Sequence, residues 1–233
     1  MKSLTRFLLF LIISLTGVSQ INAQGDRCST IQPFCAGTSQ YVFSNSNSDN
    51  GNFLNAEVGP DYLCLERQLY PSWFYLRVDT AGKLDFLIKQ TQNADGSGQE
   101  LDVDFIAWGP FRSRDNLCTS SSLSNSRIVD CSYSTSATEN LVIDNALVGE
   151  IYVVLLTNYS ELPGYISLEQ TNLSQTNSGA TDCSIVNILG DDIARCDKAP
   201  VALNADRVIA NRFEYYVFNE TSNSFELVSN QTN

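Results

Sequence analysis

The sequence contains no histidine. Hydrolases with Ser-His-Asp or Cys-His nucleophile systems, H-E-x-x-H zinc hydrolases and proteins with His-ligated iron or copper all depend on the imidazole side chain. The composition therefore excludes these classes. Among enzymes, it leaves those that work with carboxylates alone, such as glycosidases with two acids and aspartic proteases.

Long apolar runs are also scarce. The apolar segment Phe7–Leu15 is too short to span a bilayer, and no later run reaches the roughly 18 apolar residues that a membrane helix requires. Lys2 and Arg6 flank this segment, and a small residue, Ala23, follows it at a suitable distance. We therefore predict that residues 1–23 are a signal peptide cleaved near Ala23. We expect the chain to be secreted or placed at the cell surface, without spanning a membrane.

Basic residues are few. The chain has 14 Lys and Arg against 26 Asp and Glu, and removal of residues 1–23 leaves 12 basic residues and a net charge of −14. Nucleic acids and anionic membrane surfaces attract basic patches, so the charge argues against both partners. The many carboxylates are instead suitable oxygen ligands for a hard cation such as Ca²⁺.

The seven cysteines contain no C-x-x-C pair. In a secreted chain, well-spaced cysteines indicate disulfides and not a zinc site. Closing the shortest loop has the smallest entropy cost, and this favours Cys118–Cys131. The resulting set, with other pairings left open, is Cys118–Cys131, Cys35–Cys64 and Cys28–Cys183, with Cys196 unpaired.

Strand patterns dominate the chain. The alternating runs Trp73–Asp79 and Lys83–Lys89 are joined by a short segment that contains Gly82, which is typical of a β-hairpin. Ile151–Thr157 is apolar almost throughout, which predicts a central strand covered on both faces. Tyr165–Gln170 follows a Pro-Gly turn signal. The predicted core-facing side chains of the first two runs are Phe74, Leu76, Val78, Leu84, Phe86 and Ile88, and Trp73 is also expected in the core. Shorter candidate strands are Arg127–Tyr133 and Glu139–Ile143.

Such short strands, separated by Gly, Pro and Asn turns, predict an antiparallel β-sandwich over residues 24–171. Residues 172–183 are polar and read as a linker. Residues 184–233 are strand-rich, but they number about half of what an immunoglobulin-sized sandwich needs. We therefore expect an incomplete second domain, in which the partner of Cys196 would lie in the missing half.

The order of motifs resembles that of pre-peptidase C-terminal domains. The motifs are WFYLRV, GKLDFLI, DVDFIAWGPF, the acid Glu139, GEIYVVLLTNYS and GYISLEQT. A closer resemblance, carried also by CAGTSQYVF and VGPDYLCL, is to N-terminal modules of bacterial cell-surface proteins exported by the type IX secretion route. The segment LGDDIARCDKAPVALNA resembles the opening of the Ig-like repeats in such proteins. The resemblance implies a jelly-roll-like sandwich followed by a partial Ig-like domain.

Asp102 and Asp104 alternate with Leu101, Val103 and Phe105, so both carboxylates should point to the same side of a strand. Three interpretations fit this pattern. The aspartates could form an ordinary wet face, bind Ca²⁺ together with Glu139, with Asp95 and Asp130 as further donors, or act as an acid/base pair. The last is the weakest, because no pocket for a raised pKa or sugar-stacking platform is evident. Trp108 and Tyr159 are candidate contacts for a glycan or another ligand, and the alternative for Trp108 is the core.

The sequence thus predicts a secreted, non-catalytic binding module of cell-surface or adhesin type. Its partner would be a protein or glycan, and Ca²⁺ is the one cofactor considered. The alternative is an accessory substrate- or glycan-binding domain of a secreted hydrolase. A carboxylate-only glycosidase ranks third.

Overall fold

The computed structural model describes residues 25–36, 40–186, 212–219, 221–222 and 224–232. These ranges contain strands and three short 3-10 turns but no α-helix, and none of their helical turns could cross a membrane. The all-β fold class is confirmed. The predicted signal peptide and Cys196 lie outside the described residues.

The strands are β1 (Gln32–Pro33), β2 (Tyr41–Ser44), β3 (Ser72–Thr80), β4 (Gly82–Thr91), β5 (Val103–Phe111), β6 (Ile128–Ser132), β7 (Thr138–Ala146), β8 (Ile151–Asn158), β9 (Tyr165–Gln170), β10 (Ala180–Thr181), β11 (Arg212–Asn219) and β12 (Ser224–Thr232).

Two sheets pack face to face. The first has the order β1-β3-β8-β5-β6, with β10 also paired to β3, and the second has the order β2-β9-β4-β7. The pairings are antiparallel except for β1 with β3. Side chains from both sheets form the core between them, and they include all six core-facing residues predicted for the runs now seen as β3 and β4. The predicted sandwich is therefore confirmed. β11 and β12 form a separate antiparallel pair.

Strand β8 lies at the centre of the first sheet, between β3 and β5, and all its residues are buried. Its alternate residues Tyr152, Val154 and Leu156 face the core between the sheets. The others face a second apolar cluster on the outer side of the first sheet, which loop residues such as Leu65 and Leu117 cover. The predicted central strand with two covered faces is confirmed.

The predicted hairpin at Gly82 is wrong. β3 belongs to the first sheet and β4 to the second, so the short connection carries the chain across the sandwich. The physical reason lies in the second face of each strand. On β3 this face carries the buried Trp73 and Tyr75 and belongs to the second cluster, whereas on β4 it carries exposed or half-buried polar residues such as Lys83.

The predicted linker at residues 172–183 is also wrong. Asn172 is buried, and its Nδ2 donates to the carbonyl oxygen of Lys83 at 2.8 Å. Thr181 is buried too, and its hydroxyl donates to the carbonyl oxygen of Ala36 at 3.1 Å. β10, within this segment, pairs with β3. The segment is polar because its side chains satisfy backbone groups of the sandwich, and it is part of the domain.

Six cysteines form three disulfides, but none of the three predicted pairs is correct. The observed pairs, with their Cα–Cα distances, are Cys28–Cys118 (5.6 Å), Cys35–Cys183 (5.0 Å) and Cys64–Cys131 (6.2 Å). The first joins two loops that cover the outer side of the first sheet, and the third joins such a loop to β6. The second joins the beginning of the sandwich, just after β1, to its end, just after β10. The pairing follows the packing of these loops and not the length of the closed loop.

An acidic pocket beside β5 as the candidate functional site

Asp102 and Asp104 lie at the beginning of β5. Val103 and Phe105, which alternate with them, point into the core between the sheets, so the two aspartates face the outer side of the first sheet. This confirms that both carboxylates point the same way. Asp104 is only 1% exposed and Asp102 is half-buried. The interpretation of an ordinary wet face is therefore wrong for Asp104.

The two aspartates line a small cavity of about 120 Å³. Strand pairing assembles the rest of its wall. Phe105 of β5 pairs with Ser132 of β6, which brings the residues after β6 alongside, and Val103 pairs with Asn158, the end of β8. The remaining lining residues are Tyr133, Ser134, Thr135 and Tyr159.

Ser134 connects the cavity to Glu139. Its backbone N–H donates to Asp104 Oδ1 at 2.9 Å, and its hydroxyl donates to Glu139 Oε1 at 2.5 Å. Two carboxylate oxygens, Asp102 Oδ1 and Asp104 Oδ2, are buried without a hydrogen-bond partner among the described residues. The hydroxyl of Thr157, which lies opposite Asp104 on β8, is in the same situation. The cavity wall thus holds acceptors that have no donor.

Negative charge at this site is not balanced by a nearby cation. None of the three ion pairs found among the described residues includes Asp102, Asp104 or Glu139. The pKa of Asp104 is raised to about 7. Burial is the main cause and the charges of Asp102 and Glu139 add to it, whereas the hydrogen bond from Ser134 works against it. Burial, followed by the charge of Glu139, also raises the pKa of Asp102. The carboxyl groups of the pocket thus have no ion-pair partner among the described residues, and their surroundings favour the protonated form of Asp104.

Two tyrosines form the aromatic part of the wall. The rings of Tyr133 and Tyr159 meet edge to face, with centroids 5.6 Å apart and an interplanar angle of 86°. Hydrogen bonding to Tyr159, together with burial, raises the pKa of Tyr133 to about 12, so this phenol is neutral at physiological pH. The guanidinium of Arg67 lies 5.8 Å from the centroid of the Tyr159 ring. Tyr159, a candidate ligand contact in the sequence, therefore lines the cavity.

Trp108 has a different place. It is fully buried in the second cluster and stacks on Trp73, with ring centroids 5.8 Å apart and an interplanar angle of 18°. A ring without exposed surface cannot serve as a platform for a glycan, so the ligand-contact interpretation of Trp108 is wrong. The core position predicted for Trp73 is confirmed.

The arrangement does not favour calcium. In the described part of the chain, no group of three or more His, Cys, Asp or Glu side chains is placed so that it could hold a metal ion. Ca²⁺ takes six to eight oxygen ligands, yet Ser134 occupies oxygens of both Asp104 and Glu139. The further donors are also engaged, since Asp130 accepts from Val142 N at 2.7 Å and Asp95 accepts from Ser97 N at 3.0 Å. A calcium site at Asp102, Asp104 and Glu139 stays a prediction from the sequence.

No protein-family model matches this chain, and no curated protein matches it in sequence. Among solved structures, it is similar to the pre-peptidase C-terminal domain of a collagenase from Bacillus anthracis. The TM-score is 0.29 with 9% sequence identity, over 60% of this chain and 91% of that domain. At this level the likeness says nothing about ligand, activity or export route.

The sequence did not reveal all the residues of the pocket. Tyr133, Ser134 and Thr135 follow β6 in a connection without a motif of its own, and only the pairing of β6 with β5 brings them to the aspartates. A larger hollow of about 620 Å³ lies elsewhere, at the edge of β3. Two of its three arginines are engaged: Arg77 pairs with Asp182, and Arg114 lies 4.7 Å from the centroid of the Tyr75 ring. The pocket beside β5 is the stronger candidate, because it holds buried carboxylate oxygens that have no hydrogen-bond partner among the described residues.

Proposed function

We propose that this chain is a secreted, non-catalytic module that binds a macromolecular partner at the cell surface. The observation that carries the proposal is the pocket at Asp102, Asp104 and Tyr159, where buried acceptors without a hydrogen-bond partner lie beside an aromatic wall. A buried polar group without a hydrogen bond is unfavourable, so such groups at a surface cavity indicate a ligand that satisfies them.

The frame around the pocket supports recognition. The aspartates stand at the start of β5, and Tyr159 follows the central strand β8 directly. The disulfide Cys64–Cys131 fixes β6 to the covering loop just before Tyr133. Side chains held by strands and a disulfide lose little freedom on binding, which favours affinity and specificity.

The size of the pocket supports binding over glycoside hydrolysis. Sites for drug-sized molecules usually occupy roughly 300 Å³ or more. The cavity beside β5, at about 120 Å³, accepts one side-chain-sized group and not a distorted sugar ring between two carboxylates. Both interpretations of the sequence, an adhesin module and an accessory domain of a hydrolase, require such a binding surface. The identity of the ligand distinguishes the two functions. An adhesin module would bind a cell-surface component, whereas an accessory domain of a hydrolase would bind a polymeric substrate.

A binding screen tests the proposal. The full chain would be applied to arrays of glycans and of extracellular and cell-surface proteins, with Tyr159→Ala as the pocket variant. Asp49→Asn, a change at an exposed residue outside the cavity, is the control for altered charge and handling. We expect a ligand whose binding is lost in Tyr159→Ala and kept in Asp49→Asn. Binding that both variants retain in full would refute a role for this pocket.

A further inference from the structure

We propose that the pocket beside β5 takes a primary alkylammonium group, supplied by a lysine side chain on a protein partner. This inference rests on the proposed function, since it names the chemistry that the binding module recognises.

Charge is the first argument. Asp102 and Asp104 line the cavity, Glu139 is joined to Asp104 through Ser134, and no Lys or Arg among the described residues forms an ion pair with them. Asp104 is almost fully buried and yet has one oxygen without a donor. Two further charged groups act on the tyrosines of the wall: the charge of Glu66 acts on Tyr133, and Arg67 lies over the Tyr159 ring. A cation that enters the cavity therefore meets more negative than positive charge.

The arrangement of the free acceptors distinguishes ammonium from guanidinium. The two buried oxygens without partners belong to different carboxylates, Asp102 and Asp104, and the second oxygen of Asp104 already accepts from Ser134. A guanidinium binds best in a bidentate fashion to both oxygens of a single carboxylate. An ammonium has three donors that point in different directions, so it can serve oxygens on separate residues.

Size and surface complete the argument. The cavity of about 120 Å³ is somewhat smaller than one of roughly 150 Å³ that takes a benzene molecule, so it has room for the end of one side chain. This matches the nitrogen and last methylenes of a lysine side chain and is smaller than an amino sugar. Tyrosine rings attract cations through their faces and pack against methylenes, so Tyr133 and Tyr159 suit such a group.

Titration of the isotope-labelled full chain, followed by NMR, tests this inference directly. The probe is Nα-acetyl-lysine N-methylamide, and the matched probe is its Nε-acetylated form, which has no charge. We expect saturable shifts of the amide signals of Asp104 and Ser134 with the first probe and none with the second. Asp102→Asn should weaken binding about ten-fold or more, because it removes a charge-assisted hydrogen bond. Asp49→Asn should leave binding unchanged.

Several results would overturn the inference. Equal binding of the Nε-acetylated probe would show that charge is not recognised, and equal binding of the corresponding arginine or glucosamine probe would show a different ligand class. Displacement of the lysine probe by stoichiometric Ca²⁺ would assign the pocket to a metal. If Asp102→Asn does not fold, the comparison of the charged and Nε-acetylated lysine probes on the parent chain still tests whether the pocket recognises an ammonium group. The lysine probe could fail to bind while Tyr159→Ala still abolishes binding of a macromolecular ligand. This result would reject recognition of an ammonium group but leave the proposed binding function intact.

Discussion

Replacement of Asp104 by Asn should make the domain more stable at neutral and alkaline pH. The carboxyl is 1% exposed, and burial raises its pKa to about 7, far above the usual value near 4. The folded state therefore holds a proton on Asp104 at pH values where the unfolded chain has released it. Stability from this group is present at low pH and is lost as the pH rises from about 4 to about 7.

The magnitude follows from the two pKa values. A difference of about three units corresponds to on the order of 4 kcal/mol, at about 1.4 kcal/mol for each unit. Asn has nearly the same shape, keeps an oxygen for the N–H of Ser134, and does not ionise. Above about pH 7, we expect Asp104→Asn to unfold at a higher urea concentration than the parent. At about pH 4 the two proteins should be similar, because the parent carboxyl is then protonated.

Urea denaturation with the disulfides intact, followed by tryptophan fluorescence at several pH values, measures this difference. Asp49→Asn, at an exposed position, makes the same change in charge and should show no comparable gain at high pH. A difference between Asp104→Asn and the parent that stays constant across the pH range would refute the reasoning. A variant that is less stable than the parent at about pH 8 would also refute it, since the buried charge would then be stabilising.

Four further predictions follow from the same structure. Peptide mapping without reduction should recover the pairs Cys28–Cys118, Cys35–Cys183 and Cys64–Cys131. A peptide that links Cys118 to Cys131 would contradict the fold. Removal of Cys35 and Cys183 together should lower the free energy of unfolding, measured with denaturant, by about 2–4 kcal/mol. Trp108→Ala should cost about 3–5 kcal/mol, because Trp108 is fully buried against Trp73; a cost near zero would contradict its core position. Gly82→Ala should lower the free energy of unfolding by more than about 1 kcal/mol, because Gly82 has a φ of +148° and a Cβ there would overlap the backbone of residues 177–179. Gly51→Ala is the control, since Gly51 also has a positive φ, +70°, but lies in open space. Equal losses of stability in the two variants would contradict the steric argument. Calcium should not raise the melting temperature, because no described group of acids is placed to hold it; stabilisation of about 2.7 kcal/mol at a hundred-fold excess over Kd would restore the calcium site.

The strands were predictable because their signal is local. Alternation with a period of two identifies the inward side chains of β3 and β4, and an unbroken apolar run identifies β8, whatever the partners of these strands are. Which strands pair is not local. A short connection at Gly82 is equally compatible with a hairpin and with a crossing between sheets. The difference was present in the sequence, since Trp73 and Tyr75 give β3 a second apolar face that β4 lacks.

The pocket was predictable only in its first half. The spacing of Asp102 and Asp104 places both carboxylates on one side of a strand, and this holds in the structure. Whether that side is wet depends on what covers it. Tyr133 and Tyr159 reach the aspartates through the pairing of β5 with β6 on one edge and with β8 on the other. Because these residues are far apart in sequence, no local pattern distinguishes a buried carboxyl in a cavity from an exposed one.

The disulfides show why a local energy argument can choose wrongly among global alternatives. Each doubling of a closed loop costs only about 0.6 kcal/mol, so moving Cys118 from Cys131 to a partner 90 residues away costs roughly 2 kcal/mol in loop entropy. Burying one additional large apolar side chain, at about 1.5–3 kcal/mol, offsets that cost. The loops that carry Cys28, Cys64 and Cys118 bury Leu65 and Leu117 against the first sheet. The pairing is therefore decided by which loops cover the second cluster.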